Sequence, residues 1–217
     1  LKNVGFSAGK REILKNITLD IKKGERLLLL GENGCGKTTL LRIIAKLNKK
    51  SKGEISSLID KKRGKWYNSL SFVYQNPDYM LFMPTVRQEI AYSAKTPEYA
   101  EEIIRLFGLE PIAERHPQSL SEGQKRRVSI AAASASNPEV FLLDEPTVGQ
   151  DYAGLKELVR ILNALHEKTG NTMITVTHDI RCAEALCDSP AIIKDGVVFQ
   201  VGGKELVKEF FVGPNGG

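Results

Sequence analysis

Eight residues, Gly31-Glu32-Asn33-Gly34-Cys35-Gly36-Lys37-Thr38, carry the spacing G-x-x-x-x-G-K-T, which suits the binding of a phosphate chain. Its glycines let the backbone curl so that several N–H groups point at one anion. A helix starting there adds partial positive charge at the same point. Lys37 would reach the β- and γ-phosphates of a nucleoside triphosphate, and the Thr38 hydroxyl would ligate Mg²⁺. The expected nucleotide-binding set is Asn33, Gly34, Cys35, Gly36, Lys37, Thr38 and Thr39. The alternative is an ordinary glycine turn before a helix. Further along, Asp144 could hold Mg²⁺ through a water. Glu145 could polarise or deprotonate an attacking water, and His178 could bond the γ-phosphate and orient that water. Taken singly, an acidic pair at a strand end is also a helix cap, and a lone histidine is also a structural residue. Together with a full phosphate loop they form a constellation for hydrolysis.

Such groups need elements to position them. Arg26-Leu27-Leu28-Leu29-Leu30 reads as a buried strand and 39–45 as a helix, so the loop lies between strand and helix. The runs 140–143 and 172–176 read as further buried strands, ending in Asp144-Glu145 and Thr177-His178. In an open α/β sheet, chemistry gathers at such carboxyl ends. Around this core, 1–6 and 17–21 read as strands separated by the turn-like Ala8-Gly9-Lys10. The segments 54–59 and 70–74 read as short strands around a basic loop. Helical patterns cover 85–92 and 98–107, the second with Pro97 at its first position and Gly108 as its stop. Another opens at Ser121 and runs to Ala135. In 152–166, Leu155, Leu158, Ile161, Leu162 and Leu165 form one apolar stripe. A short helix at 180–186 and a final one at 204–211 flank strands 191–194 and 197–201, joined by the hairpin signal Asp195-Gly196. The alternation predicts an α/β fold with a mostly parallel sheet, an antiparallel β region at the front and a helical lobe over 76–135.

Composition narrows the setting. The 217 residues are 41% hydrophobic, enough for one large domain. There is no run of about 18 uninterrupted apolar residues and no visible secretory signal. Leu1 stands in mid-strand, so a few preceding residues are expected to be missing, and 213–217 reads as a flexible end. Cys35, Cys182 and Cys187 lack C-x-x-C or zinc spacing and read as reduced thiols. Cys35, among oriented N–H groups, could have a lowered pKa or simply fill space. The net charge of +5 includes clusters at Lys46, Lys49, Lys50, Lys52 and at Lys61, Lys62, Arg63, Lys65. These could meet nucleic acid or anionic lipid; a solvated face is the plainer reading.

The chain also resembles the ATP-binding cassette (ABC) family of transporter ATPases over nearly its whole length. Ser119 to Arg127 is similar to the LSGGQ signature, which contributes Ser121, Glu122, Gly123 and Gln124. Val140 to Asp144 resembles the Walker B strand, with Glu145 as catalytic glutamate and His178 as switch histidine. Gln75 resembles the Q-loop glutamine, a catalytic and Mg²⁺-ligating position beside Thr38 and Asp144. Gly149-Gln150-Asp151 resembles the D-loop, with Asp151 its acidic residue. The resemblance implies one P-loop NTPase domain over 1–217, with 76–135 as a helical signature subdomain. It implies Mg²⁺ as cofactor, ATP as substrate, and a second ATPase subunit packed head to tail, identical or different, whose ATP this signature would cover. Gln75 to Val86 resembles the QNP-D-x-x-LF-x-x-TV stretch of energy-coupling factor (ECF) and cobalt/nickel importer ATPases. That implies docking of a transmembrane scaffold protein near Gln75–Val86, a separate membrane subunit that binds a vitamin or metal ion, and a peripheral place on the cytoplasmic face. Tyr79 to Met83 would suit such a helix-in-groove site, or pack in the lobe's own core.

Four departures from the family pattern matter. Ala8 stands where an adenine-stacking aromatic is usual, with Phe6 near it. Glu122 replaces a signature glycine and brings negative charge towards a γ-phosphate unless it points outward. Glu32 and Cys35 replace the commoner Pro and Ser, and Gln150 the commoner Leu. Many energy-coupling ATPases carry a further C-terminal segment that helps hold the dimer, so a monomer or weak dimer is expected. The sequence also admits two other readings. A soluble ABC ATPase acting on nucleic acid is supported by the basic clusters but disfavoured, because no room for a coiled coil lies between Gln75 and Ser121; nucleic acid is therefore not an expected partner. A non-hydrolysing regulatory subunit is supported by Ala8 and Glu122.

Overall fold

The structure is a computed structural model and describes residues 1–50, 52–56, 66 and 69–213. At its centre is a six-stranded sheet built from β3 (Arg26–Leu30), β5 (Leu70–Val73), β6 (Val140–Asp144), β7 (Thr172–Val176), β8 (Ser189–Lys194) and β9 (Val197–Val201). The order is β5-β6-β7-β3-β8-β9. The first five strands are parallel, and β9 joins antiparallel to β8. Asp195 and Gly196 sit at φ 50° and 78° in the connecting turn, the left-handed pair that a two-residue hairpin needs.

Strand alternation sorts the side chains onto two covered faces, as a parallel sheet requires. Leu27, Leu29, Leu142, Ile174 and Val176 pack with α1 (Lys37–Ile44) and with Val4, Leu14 and Ile17. Phe141, Leu143 and Met173 face the other way. There they meet α2 (Val86–Ser93), α3 (Pro97–Leu106), α4 (Glu122–Ala135) and α5 (Tyr152–Thr169) through Ile90, Ile103, Phe107, Val128, Leu158 and Leu162. The run Ala131–Ala133 on α4 is buried; such small side chains let the helix come close to its neighbours. Leu28 and Leu30 pack with Ala183 of α6 (Ile180–Leu186) and Val207 of α7 (Glu205–Val212).

A separate three-stranded antiparallel sheet, in the order β2-β1-β4, is formed by β1 (Lys2–Ala8), β2 (Arg11–Ile17) and β4 (Lys52–Glu54). Here the strand expected at 17–21 is displaced, since the second strand ends at Ile17. Leu19 is buried between exposed neighbours, and this alternation imitates a strand. Among the described residues its backbone pairs with Leu1, Leu1 N donating to Leu19 O at 2.8 Å and Leu19 N to Leu1 O at 3.1 Å. The strand expected at 54–59 is found as Lys52–Glu54. Residues 57–59, the cluster Lys61, Lys62, Arg63, Lys65 and the tail 214–217 lie outside the described residues.

Candidate active site

Gly31 to Gly36 turn directly from β3 into α1. Gly31 has φ 144°, and a Cβ there would lie 2.2 Å from the Ile193 carbonyl; Gly36 has φ 109°, and a Cβ would lie 2.6 Å from Leu14. Both positions therefore need glycine on conformation and on space. α1 begins at Gly36 with no side chain capping it, so its first N–H groups remain available to an anion. Lys37 is 7% exposed. Its Nζ donates to the carbonyls of Gly31 at 2.6 Å and Glu32 at 2.9 Å, which engages two of the ammonium's three donors and holds it against the loop.

β6 and β7 are neighbours and β7 borders β3, so three carboxyl ends stand side by side. The Thr38 hydroxyl donates to Asp144 Oδ1 at 3.1 Å. Burial raises the Asp144 pKa, while the Thr38 bond works against that rise. Glu145 follows immediately, 6% exposed and at φ 52°. A non-glycine residue held in that region is strained, a feature concentrated at functional sites. Burial, with Asp144 as a neighbouring charge, raises Glu145 to about 7. Glu145 Oε2 accepts from the backbone N–H of His178 at 3.2 Å, and Oε1 lies 3.4 Å from His178 Nε2. Burial and the charge of Lys37 lower the His178 pKa, so its ring is predominantly neutral at pH 7. Gln75 completes the wall. It lines one cavity of about 600 Å³ with Asn33, Gly34, Gly36, Lys37, Thr38, Thr39, Glu145 and His178.

Not every predicted residue enters that cavity. Cys35 borders an adjoining cleft, and burial raises its pKa; the lowered value contemplated from sequence is therefore corrected, desolvation outweighing the attraction of Lys37. Ser121 to Gln124 stand at the start of α4, away from the cavity lining. Ser121 Oγ accepts from Gln124 N at 3.3 Å, and Gln124 Oε1 accepts from Ser121 N at 3.0 Å, a reciprocal cap. The Glu122 side chain is exposed and lies 3.5 Å from Lys125 Nζ, so its charge points outward to a cation. Gly123 has its carbonyl bonded by Gln150 Nε2 at 2.8 Å, which ties the segment before α5 to α4. Asp151 caps α5, accepting from Gly154 N at 2.7 Å.

Ala8 pairs with Arg11 at the tip of the β1–β2 hairpin, and Phe6 packs towards the cluster around Val4 and Leu14. Among the described residues no aromatic side chain lines the cavity; Arg11 and Ile13 border it instead. Neither was marked in the sequence, where only the missing aromatic gave a signal. Tyr79, Phe82 and Tyr92 are exposed, with the Phe82 and Tyr92 rings 5.7 Å apart edge to face, whereas Leu81 between them is buried.

The oxygen donors of Thr38 and Asp144 are hard ligands that suit Mg²⁺. No group of three or more His, Cys, Asp or Glu among the described residues could hold a metal alone. In chemical terms, the cavity offers anion-binding N–H groups, an ammonium, a candidate base near neutrality and a neutral imidazole.

The ABC transporter family model matches residues 14–148. The spermidine/putrescine import ATP-binding protein PotA of Thermotoga maritima is 39% identical over 93% of the chain, which spans 57% of that protein's length. The energy-coupling factor transporter ATP-binding protein EcfA3 of Clostridium perfringens is 35% identical over 95% of the chain and 78% of its own length. A dimeric, post-hydrolysis structure of the ATP-binding cassette MJ0796 bound to ADP and Pi superposes with a TM-score of 0.80, at 31% identity over 94% of this chain and 97% of that one.

Proposed function

The chain belongs to the ABC transporter family, as one of its ATP-binding cassettes, and from that premise we propose that it hydrolyses Mg·ATP to drive import through separate membrane subunits. The observation that carries this reading is the meeting of Lys37, Thr38, Gln75, Glu145 and His178 around one cavity at adjoining strand ends. The N-terminus of α1 and Lys37 hold the phosphate chain. Mg²⁺, held by Thr38, Asp144 and Gln75, would supply charge neutralisation on the phosphate oxygens. Glu145 accepts a proton from the attacking water, while His178 and Gln75 orient that water and the γ-phosphate. Most of the rate gain comes from positioning and charge stabilisation rather than covalent chemistry.

Ser121, Glu122, Gly123, Gln124 and Asp151 serve the ATP of a second cassette. The outward set of Glu122 towards Lys125 lessens the repulsion that this residue would otherwise bring. The exposed rings of Tyr79, Phe82 and Tyr92 support a docking surface near Gln75–Val86 for a helix of a membrane scaffold. No helix among the described residues is long and apolar enough to cross a membrane; the family resemblance is what favours a peripheral subunit on the cytoplasmic face. The ECF-like motif and the likeness to EcfA3 favour a vitamin or transition-metal importer; the PotA likeness makes a polyamine system the second reading.

Phosphate release at saturating Mg·ATP tests the proposal, with the membrane subunits supplied where the chain alone is silent. Lys37→Ala should weaken nucleotide binding about 10- to 100-fold, the worth of its charge-assisted bonds. No turnover in the complete complex, or an unaffected Lys37→Ala variant, would refute it.

A further inference from the structure

Two successive cations on α4 turn back onto the segment that carries Gln75. Arg126 is 3% exposed. Its guanidinium donates to the Tyr74 carbonyl at 2.7 Å and also to the Gln75 carbonyl. Lys125 donates to Asp78 Oδ1 at 2.9 Å. Residues 74–78 are thus pinned at both ends to the helix whose N-terminus bears Ser121 to Gln124.

Burying a cation is unfavourable, and here burial pulls the Arg126 pKa down. Glu122, Asp144 and Glu145 offset part of that cost through their charges, yet among the described residues Arg126 Nε has no hydrogen-bond partner. An apolar side chain of similar volume would often be at least as stable in such a place. What the guanidinium adds is a planar fork that fixes two neighbouring carbonyls in one geometry. Those carbonyls belong to the residue at the cavity wall and the one before it.

We propose that Arg126 is a positioning residue that locks the backbone of Tyr74 and Gln75 to α4, so that the Gln75 side chain reaches the phosphate cavity only while α4 is seated. The signature end of the helix and the glutamine at the cavity then move as one body. This rests on the ATPase reading of the cavity.

Two readouts test the brace. In the free protein, hydrogen exchange over residues 75–80 should quicken about tenfold in Arg126→Met and less in Arg126→Lys, with β3 and β6 unchanged; unchanged exchange would overturn the proposal. In turnover, Arg126→Met should lower kcat about 10- to 100-fold, as a displaced catalytic group does, with KM within about twofold and partial recovery in Arg126→Lys. In a Gln75→Ala background the Arg126 substitution should have no further effect. Additive losses, or a shifted pH profile in place of a lowered plateau, would show that Arg126 acts otherwise, through bulk stability or through the charges of Asp144 and Glu145. Should Arg126→Met fail to fold, Arg126→Lys carries both readouts. A wild type without turnover would count against the ATPase reading, while the exchange result would still decide the brace.

Discussion

Glu145 shows how one residue is set for its role by its surroundings. It is buried, strained at φ 52° and beside a second carboxylate, and its pKa is raised to about 7. A carboxyl with a raised folded pKa holds its proton in the folded state after the unfolded chain has released it. Between the ordinary value of 4.5 and about 7, this group therefore makes stability fall as pH rises, and the cost is complete above that window. His178, lowered by burial, acts oppositely, its contribution being lost as pH falls below its ordinary range. Comparing Glu145→Gln with wild type isolates the first effect. In the nucleotide-free protein at pH 8 the variant should be more stable by on the order of 1–3 kcal/mol in urea denaturation, the gain shrinking towards pH 4.5. A gain over wild type no larger at pH 8 than at pH 4.5 would contradict this. At this scale the phosphate loop, Asp144, Glu145 and His178 were legible, because their types follow strands at telling distances. The reach of Arg126 to Tyr74 and Gln75 was not, because it crosses about fifty positions and depends on how α4 lies against the sheet.

At the scale of elements, polar side chains decide where loops hang. Thr85, Thr96, Ser121 and Asp151 cap α2, α3, α4 and α5, so most helix starts could be read directly. Gly108 at φ 61° closes the turn after α3 as expected. Glu89 of α2 could not be foreseen. Only 2% exposed, it accepts from the backbone N–H groups of Phe82 at 2.8 Å and Met83 at 2.7 Å. The loop is thereby suspended from α2 with Phe82 turned outward. Glu89→Ala leaves two donors without that partner and should cost about 2–3 kcal/mol of stability in urea denaturation; a change below about 0.5 kcal/mol would show that the loop finds other partners. The misplaced strand at 17–21 has a physical reason too. Alternation marks an extended segment with one buried side, but a strand also needs a ladder along its length, and beyond Ile17 the segment's backbone bonds among the described residues are the two between Leu19 and Leu1.

At the scale of the whole molecule, the sheet order explains how one chain gathers the candidate site. The chain leaves β3 through α1, crosses to the far edge at β5, and returns through β6 and β7, which brings the residues of four separate segments to one rim. The signature-like segment at α4 belongs to the same chain but lines no part of the cavity at that rim, and its helix start is capped by its own side chains. Its anion-binding helix end faces the ATP of another cassette in the proposed assembly. The parallel core and the helical lobe were both legible from apolar runs and periodicity. The separate sheet β2-β1-β4 was only partly so, since its strands bury few side chains and leave a weak pattern. The central claim is that this rim hydrolyses ATP with Glu145 as base. Its most direct test is steady-state phosphate release by Glu145→Gln beside wild type, under conditions where the wild type turns over. The variant's kcat should be about 10²- to 10⁴-fold lower with Mg·ATP still bound; turnover at the wild-type rate would show that Glu145 is not the base.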